Sequence, residues 1–217
     1  MESIEDTANT SIVSTSKPFF IDSPVMLRAL ISPVRQEVVD AVVAAGPCTI
    51  AEVGRLLGRA PDSLYFHVKR LVGAGLLVEG EARRRGRHVA SVYDVPGRPV
   101  LIRIGADSPE AFRRTVNGVV QGAIRLGSRD FSRAIVRASV SARGRRREVW
   151  GGRAKGWVGG AELEELNALI ARATEILHEG RPGPGRKPMG FTFVLAPART
   201  SVRSEEHTSE LQSPCNL

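Results

Sequence analysis

The stretch DSLYFHVKRLVGAGLL, residues 62–77, decides the fold of the amino-terminal half. Its apolar spacing is helical. At about 100° per residue, Leu64, Val68 and Leu71 share one face, which must be core. The same spacing puts Phe66 on the opposite face, although only 5% of the chain is aromatic. Because a large apolar ring gains nothing from facing water, its position indicates a surface that contacts another molecule.

Local signals predict three further helices before this stretch. A serine followed by a first-turn proline opens a short helix over 24–31. Apolar residues recur at three- and four-residue spacing over 33–45, which predicts a second helix that ends at Gly46. Thr49 with Glu52 three residues later is typical of a capping box, and this pair opens the third helix.

A basic hairpin is predicted after the 62–77 stretch. Two β-rich segments, 76–79 and 89–95, flank a loop that contains Arg83, Arg84, Arg85 and Arg87. Two helices separated by a tight turn and followed by such a hairpin form a winged helix-turn-helix. Cys48, at a helix start, is interpreted as structural because no second cysteine accompanies it in this region.

Residues 24–95 resemble the helix-turn-helix domain of the ArsR family of bacterial transcriptional regulators. The similarity includes the pattern H-x-K-x-L-x-x-A-G-L at His67, Lys69, Leu71, Ala74, Gly75 and Leu76. This resemblance implies a homodimer that binds operator DNA and usually represses transcription. Metal-sensing members carry paired cysteines in the helix before the recognition helix, whereas residues 51–59 contain none. We therefore expect no metal site and no other cofactor.

The charge of the chain favours nucleic acid as a partner. Thirty-one Lys and Arg residues against 23 Asp and Glu residues give a net charge of +8 and a pI near 10.4. Most of these cations are arginine, whose planar guanidinium donates two hydrogen bonds to a phosphate at once. The alternative is a surface of solvated arginines without a specific partner.

The predicted DNA contacts lie on the 61–74 helix and on a basic wing at 83–87. The ring of Phe66 can meet a thymine methyl, while Lys69 and Arg70 reach phosphate or guanine. The predicted DNA-binding residues are Asp62, Ser63, Tyr65, Phe66, Lys69, Arg70, Arg83, Arg84, Arg85 and Arg87.

Several alternatives for these residues stay open. Phe66 can instead pack under the wing or against a partner subunit, and Tyr65 suits either packing or a phosphate contact. The wing arginines can be solvated loop charge. His67 is interpreted as a structural histidine with its hydrogen bonds satisfied. The GRRR run at 144–147 fits surface charge, an additional DNA contact or an anionic-ligand site.

Beyond residues 96–99 the composition changes, and the elements are less clearly marked. The sequence predicts a strand at 100–104, helices over 108–126, 128–140 and 161–178, and a strand at 189–196. The 161–178 helix has an apolar stripe that predicts dimerisation through Leu163, Leu166, Ile170 and Leu177.

The predicted organisation is α+β and mainly helical. Residues 1–18 are expected to form a disordered arm, 19–98 the winged helix-turn-helix, and 99–202 a smaller α+β dimerisation or effector-sensing domain. The segment RSEEHTSELQS, at 203–213, resembles a sequencing-adapter oligonucleotide translated in frame. Residues 203–217 are therefore interpreted as an artefact.

The expected function is a DNA-binding transcriptional regulator in the cytoplasm, acting as a dimeric repressor on double-stranded DNA. Whether the protein also binds a small-molecule effector is left open by the sequence. No run approaches the roughly 20 apolar residues of a membrane span. Scattered histidines and the lack of a nucleophile or phosphate-loop motif argue against an enzyme. Two alternatives are a non-specific architectural nucleic-acid-binding protein and a protein–protein interaction module that has lost DNA binding.

Overall fold

The computed structural model describes residues 17–85, 88–105 and 107–198. Within these ranges the chain is α+β and mainly helical, as the sequence predicts. The helices are α1 Pro24–Leu30, α2 Pro33–Ala45, α3 Ile50–Leu57, α4 Asp62–Gly73, α5 Glu110–Ile135 and α6 Gly160–Glu179. The strands are β1 Phe19–Ile21, β2 Cys48–Thr49, β3 Val78–Arg85, β4 His88–Asp94 and β5 Val100–Ile102. The predictions for residues 1–16, Arg87 and 203–217 lie outside the described residues.

The helices of the amino-terminal half begin and end where their local signals lie. Ser23 caps α1 by accepting a hydrogen bond from the backbone N–H of Val25 at 3.2 Å. Thr49 and Glu52 form the predicted capping box, which starts α3. Gly58 ends α3 with a φ of +62°, a left-handed conformation that glycine adopts without strain. The predicted starts at Ser23 and Thr49 and the predicted end of α2 at Gly46 are confirmed.

One apolar core joins α1, α2, α3 and α4, and the sheet covers it. Leu64, Val68 and Leu71 of α4 are buried in this core, as predicted. The strands β2, β4 and β3 form an antiparallel sheet in that order. Cys48 lies in β2 opposite Tyr93, not at the start of a helix, because Thr49 is the capping residue of α3.

The wing hairpin is longer than the sequence predicts. Arg83, Arg84 and Arg85 were expected in the loop, but they belong to β3 and pair with residues of β4. The prediction was wrong because ladder hydrogen bonds outweigh the low strand propensity of a charged run. The register shifts between Gly80 and Arg83, which is the signature of a bulge.

The long helix α5 replaces the two helices predicted at 108–126 and 128–140. Gly127 does not interrupt it, since one interior glycine costs only about 1 kcal/mol. The missing side chain also makes room for another segment. A β-carbon on Gly127 would lie 2.7 Å from Oγ1 of Thr192.

Two predictions about strands of the carboxyl-terminal half need correction. Residues 189–196 form no strand, because a strand needs a hydrogen-bonded neighbour and none lies beside this segment in the described part of the chain. The predicted strand at 100–104 exists as the shorter β5. Its parallel partner β1, which the sequence did not indicate, pairs Phe19 with Val100.

Helix α5 packs on the helix-turn-helix, so elements on both sides of the expected boundary at 98/99 share one core. The Gln36 amide of α2 donates to the carbonyl oxygens of Leu30 at 2.7 Å and Val119 at 3.0 Å. Phe112 and Val116 of α5 are buried in the same cluster. By contrast, no residue from 136 to 198 is buried. None of the described helices has both the length and the apolar character of a membrane span.

Candidate nucleic-acid interface

The outer face of α4 is an exposed surface with two aromatic rings. Tyr65 is 57% exposed and Phe66 is 60% exposed, although both are large and apolar. The other four predicted residues of this helix are also on the surface: Asp62, Ser63, Lys69 and Arg70. In a helix-turn-helix that binds DNA, the amino-terminal half of the second helix is the part that reaches base edges. Both rings lie in that half of α4.

The ring of Phe66 contacts two neighbouring side chains of α4 and is otherwise exposed to solvent. The guanidinium carbon of Arg70 lies 5.3 Å from the centre of its ring. The ring of His67 meets it edge-on with centroids 5.8 Å apart. Phe66 is therefore not packed under the wing. The cation–π contact orients the ring and a cation together toward the same exposed surface.

A groove separates α4 from the wing. Its volume is about 390 Å³, and its floor is mostly apolar. The lining residues are Ile50, Tyr65, Phe66, Val68, Lys69, Val72, Glu79 and Tyr93. The groove joins the exposed rings of α4 to the strands of the hairpin.

His67 differs from the satisfied structural histidine that the sequence suggested. Its Nδ1 is buried and has no hydrogen-bond partner among the described residues. Burial, and then the positive charges of Arg35 and Arg59, lower the pKa of this imidazole. The ring is therefore neutral at neutral pH and adds no charge to the surface of α4.

Arg83 is engaged within the protein. Its guanidinium donates to both carboxylate oxygens of Glu52, at 3.1 and 3.2 Å, and to the Pro47 carbonyl oxygen at 3.2 Å. This contact joins the wing to the start of α3, so Arg83 positions the hairpin. Arg84 is exposed, while the side chain of Arg85 and all of Arg87 lie outside the described residues.

The side chain of Glu52, which joins the wing to α3, is favoured in its ionised form. A hydrogen bond from the Thr49 backbone is the largest influence that lowers the pKa of Glu52, and Arg83 and Arg55 lower it further. Arg55 was not singled out from the sequence. Its side chain is 70% exposed on α3, the helix that crosses the DNA backbone in this motif.

A second network fixes the turn before α4. Glu37 of α2 accepts from Arg59 at 2.9 Å and from Arg129 of α5 at 2.6 Å. Burial raises the pKa of Glu37, but the hydrogen bonds from Arg129 and Arg59 outweigh it, so the pKa is lowered. No sequence signal links Glu37 with Arg129, because the two residues are 92 positions apart.

No metal or thiol chemistry stands out in the described part of the chain. It contains no group of three or more His, Cys, Asp or Glu side chains that could hold a metal ion. Cys48 is buried, and burial followed by the charges of Glu52 and Asp94 raises its pKa to about 11. Its thiol stays protonated at neutral pH, which agrees with a packing role.

The comparison with family models agrees with the helix-turn-helix. Residues 30–80 match a family model described as a helix-turn-helix domain. The solved structure of RV1404 from Mycobacterium tuberculosis is 16% identical over 70% of this chain and 81% of that chain, with a TM-score of 0.27. A probable transcriptional regulator from Pseudomonas aeruginosa is 17% identical over 70% of this chain and 77% of its own, with a TM-score of 0.23. No curated protein matches the sequence.

Proposed function

We propose that the protein is a DNA-binding transcriptional regulator that reads an operator with α4. The observation that carries this proposal is the exposed face of Tyr65, Phe66, Lys69 and Arg70 on the second helix of a helix-turn-helix. Two large rings side by side on one exposed helix face favour a surface that a binding partner covers.

Each part of the interface has a separate role in this proposal. The ring of Phe66 contacts a thymine methyl, and Lys69 and Arg70 donate to guanine or to phosphate. Asp62 and Ser63 lie at the start of α4, where side chains approach base edges. The wing adds phosphate or minor-groove contacts through Arg84, Arg85 and Arg87. Arg83 instead holds the wing against α3.

We further propose that the regulator is a homodimer. Residues 136–198 include two tryptophans and two phenylalanines, yet none of these residues is buried. Ordering a segment of this length costs roughly 1–2 kcal/mol per residue in backbone entropy, which an apolar core must offset. A second copy that covers the α6 stripe supplies such a core. Two copies also present two α4 helices to a palindromic operator.

Repression and a cytoplasmic location are the finer parts of the proposal. They rest on the resemblance of residues 24–95 to the ArsR family and on the duplex as the binding partner. A dimer that occupies an operator excludes polymerase from the overlapping promoter. The rival is an architectural protein that binds through charge alone. The two exposed rings on α4 favour the sequence-reading regulator over it.

The test compares two variants of α4 on a duplex selected from a random pool by the wild-type chain. Phe66→Ala should weaken binding to the selected duplex by about 1–3 kcal/mol, the range of a good base contact. It should leave the melting temperature nearly unchanged because the ring fills no cavity. Binding to a scrambled duplex should also stay the same, since that binding is electrostatic.

Leu64→Ala is the matched control on the buried face. It should destabilise the fold by about 2–5 kcal/mol, because Leu64 is fully buried in the core. A Phe66→Ala protein that melts early, with a binding loss that follows its unfolding, would show that the ring packs internally. A wild-type chain that selects no sequence at all would favour the architectural protein.

A further inference from the structure

A second basic surface lies far from α4 in the sequence. Residues 143–157, called here the basic segment, contain six cations and a single acid, Glu148. The cations are Arg143, Arg145, Arg146, Arg147, Arg153 and Lys155, and all of them are exposed. The proposed contacts of α4 and the wing make no use of this charge.

Several arginines outside the basic segment are engaged by carboxylates of the protein. Arg59, Arg83 and Arg129 each form an ion pair with a carboxylate of the protein. In the described part of the chain, Arg145, Arg146 and Arg153 form no such pair. Their charge is therefore available to an anionic partner.

The arginines lie on a loop whose two ends are joined by hydrogen bonds. The backbone N–H of Glu148 donates to the Ser141 carbonyl oxygen at 2.7 Å. In return, the backbone N–H of Ser141 donates to Oε2 of Glu148 at 2.9 Å. At the tip, Arg147 donates its backbone N–H to Gly144, whose φ of +78° suits glycine. The run Arg145–Arg147 thus projects from a closed turn.

Two contacts hold the loop further. The guanidinium carbon of Arg147 lies 3.8 Å from the centre of the Trp150 ring, so this cation is stacked on a flat surface. Lys187 donates to Oε1 of Glu148 at 2.6 Å, which occupies the only carboxylate of the basic segment. The remaining arginines therefore meet no competing acid within the segment.

The basic segment is connected to the turn that precedes α4. A β-carbon on Gly151 would lie 3.2 Å from the ring of Phe131, so the segment rests on α5. Two residues earlier on α5, Arg129 binds Glu37, which also binds Arg59 in the turn before α4. A chain of contacts through α5 and α2 thus joins the basic segment to the turn before α4.

We propose that the basic segment binds the phosphodiester backbone of duplex DNA beside the base pairs that α4 reads. The partner is assigned to phosphate because the planar arginine side chains match phosphate oxygens with two hydrogen bonds at once. Since phosphate contacts do not distinguish sequences, the segment adds affinity and fixes the orientation of the duplex. This inference rests on the proposed DNA-binding function.

The test measures the salt dependence of binding on two duplexes. The short duplex carries only the selected operator, and the long one extends it by about one helical turn, 10 base pairs, on each side. On the long duplex, the triple variant Arg145→Ala, Arg146→Ala, Arg153→Ala should make the salt dependence shallower. The negative slope of log K against log salt should shrink in magnitude by about 0.9 per lost phosphate contact. The short duplex should show no change.

Two control proteins accompany the triple variant. Arginine-to-lysine changes at the same three positions keep the charge and should keep the slope. Arg114→Ala with Arg172→Ala removes exposed charge elsewhere and should leave both duplexes unaffected. Far-UV circular dichroism should match the wild type for every protein, because none of the changed side chains is buried.

The outcomes separate this inference from the proposed function. An unchanged slope on the long duplex, with wild-type preference for the operator intact, overturns the inference alone. An equal loss on both duplexes also overturns it, since the contacts would then lie within the operator. A wild-type chain that prefers no duplex overturns the proposed function and the inference together. Tighter binding to single strands than to the long duplex likewise contradicts the duplex assignment.

Discussion

Gly122 shows how a single residue sets the distance between two helices. A β-carbon at this position of α5 would lie 2.7 Å from Nε2 and 3.0 Å from Oε1 of Gln36. The Gln36 amide is buried and already donates to two carbonyl oxygens, so it cannot move without losing hydrogen bonds. Glycine at 122 is therefore a packing requirement, although its helical backbone would accept any residue.

Replacement of Gly122 by alanine should destabilise the protein. We expect a loss of about 1–3 kcal/mol in the free energy of unfolding, the usual cost of overpacking a filled contact. Gly118→Ala is the matched control, because nothing lies within 4 Å of a β-carbon there. That change should stabilise α5 by about 0.5–1 kcal/mol. Urea denaturation of both variants measures the difference, and equal effects at the two positions would contradict this packing.

Glu52 is the residue through which α3 and the wing depend on one another. Its carboxylate accepts from the Thr49 backbone N–H at 2.8 Å and from Arg83 of β3. Its pKa is lowered, chiefly by the Thr49 hydrogen bond, so the ionised form is favoured in the folded state. The resulting stabilisation is present above the ordinary carboxyl pKa and is lost as the pH falls through the lowered folded pKa.

Two substitutions separate the cap from the charge. Glu52→Ala removes both and should cost about 1–2 kcal/mol at pH 7. Glu52→Gln keeps a capping oxygen and should cost less, because glutamine also serves in a capping box. Both variants should lose less stability than the wild type as the pH falls from 7 to 3. Urea denaturation across this pH range tests the idea, and parallel pH profiles for all three proteins would refute it.

The described residues divide into a part with an apolar core and a part without one. The core residues lie between Ile21 and Val119, whereas the stripe of α6 remains partly exposed. Leu166 and Ile170 are half-buried, and Leu163 is 42% exposed. A second copy is the partner proposed to cover this stripe.

Charges placed on the α6 stripe should separate the copies. Leu166→Glu combined with Ile170→Glu should yield monomers in analytical ultracentrifugation, because charged side chains cannot be buried without partners. Affinity for a palindromic operator should fall by about 10² or more, since linked half-site binding is lost. Arg172→Glu, on the opposite face of α6, should leave both properties unchanged. A wild-type chain that is already monomeric and binds the operator tightly would exclude the dimer.

The sequence by itself determined the elements whose causes are local. Three such features are the capping by Thr49, the end of α3 at Gly58 and the apolar spacing of α4. Each involves residues only a few positions apart, so it can be read directly from the sequence. The outward position of Phe66 follows from that spacing once Leu64 is assigned to the core. The candidate surface of α4 could therefore be predicted, including its exposed rings.

Only the tertiary structure decided what depends on distant partners. The pairing of Glu37 with Arg129 spans 92 positions, and Arg83 reaches Glu52 across 31. The sequence placed Arg83 in a loop and 189–196 in a strand, because propensity alone cannot say which neighbour supplies the hydrogen bonds of a ladder. Such long-range contacts depend on the whole fold, because they stabilise the protein only when the fold brings both residues together.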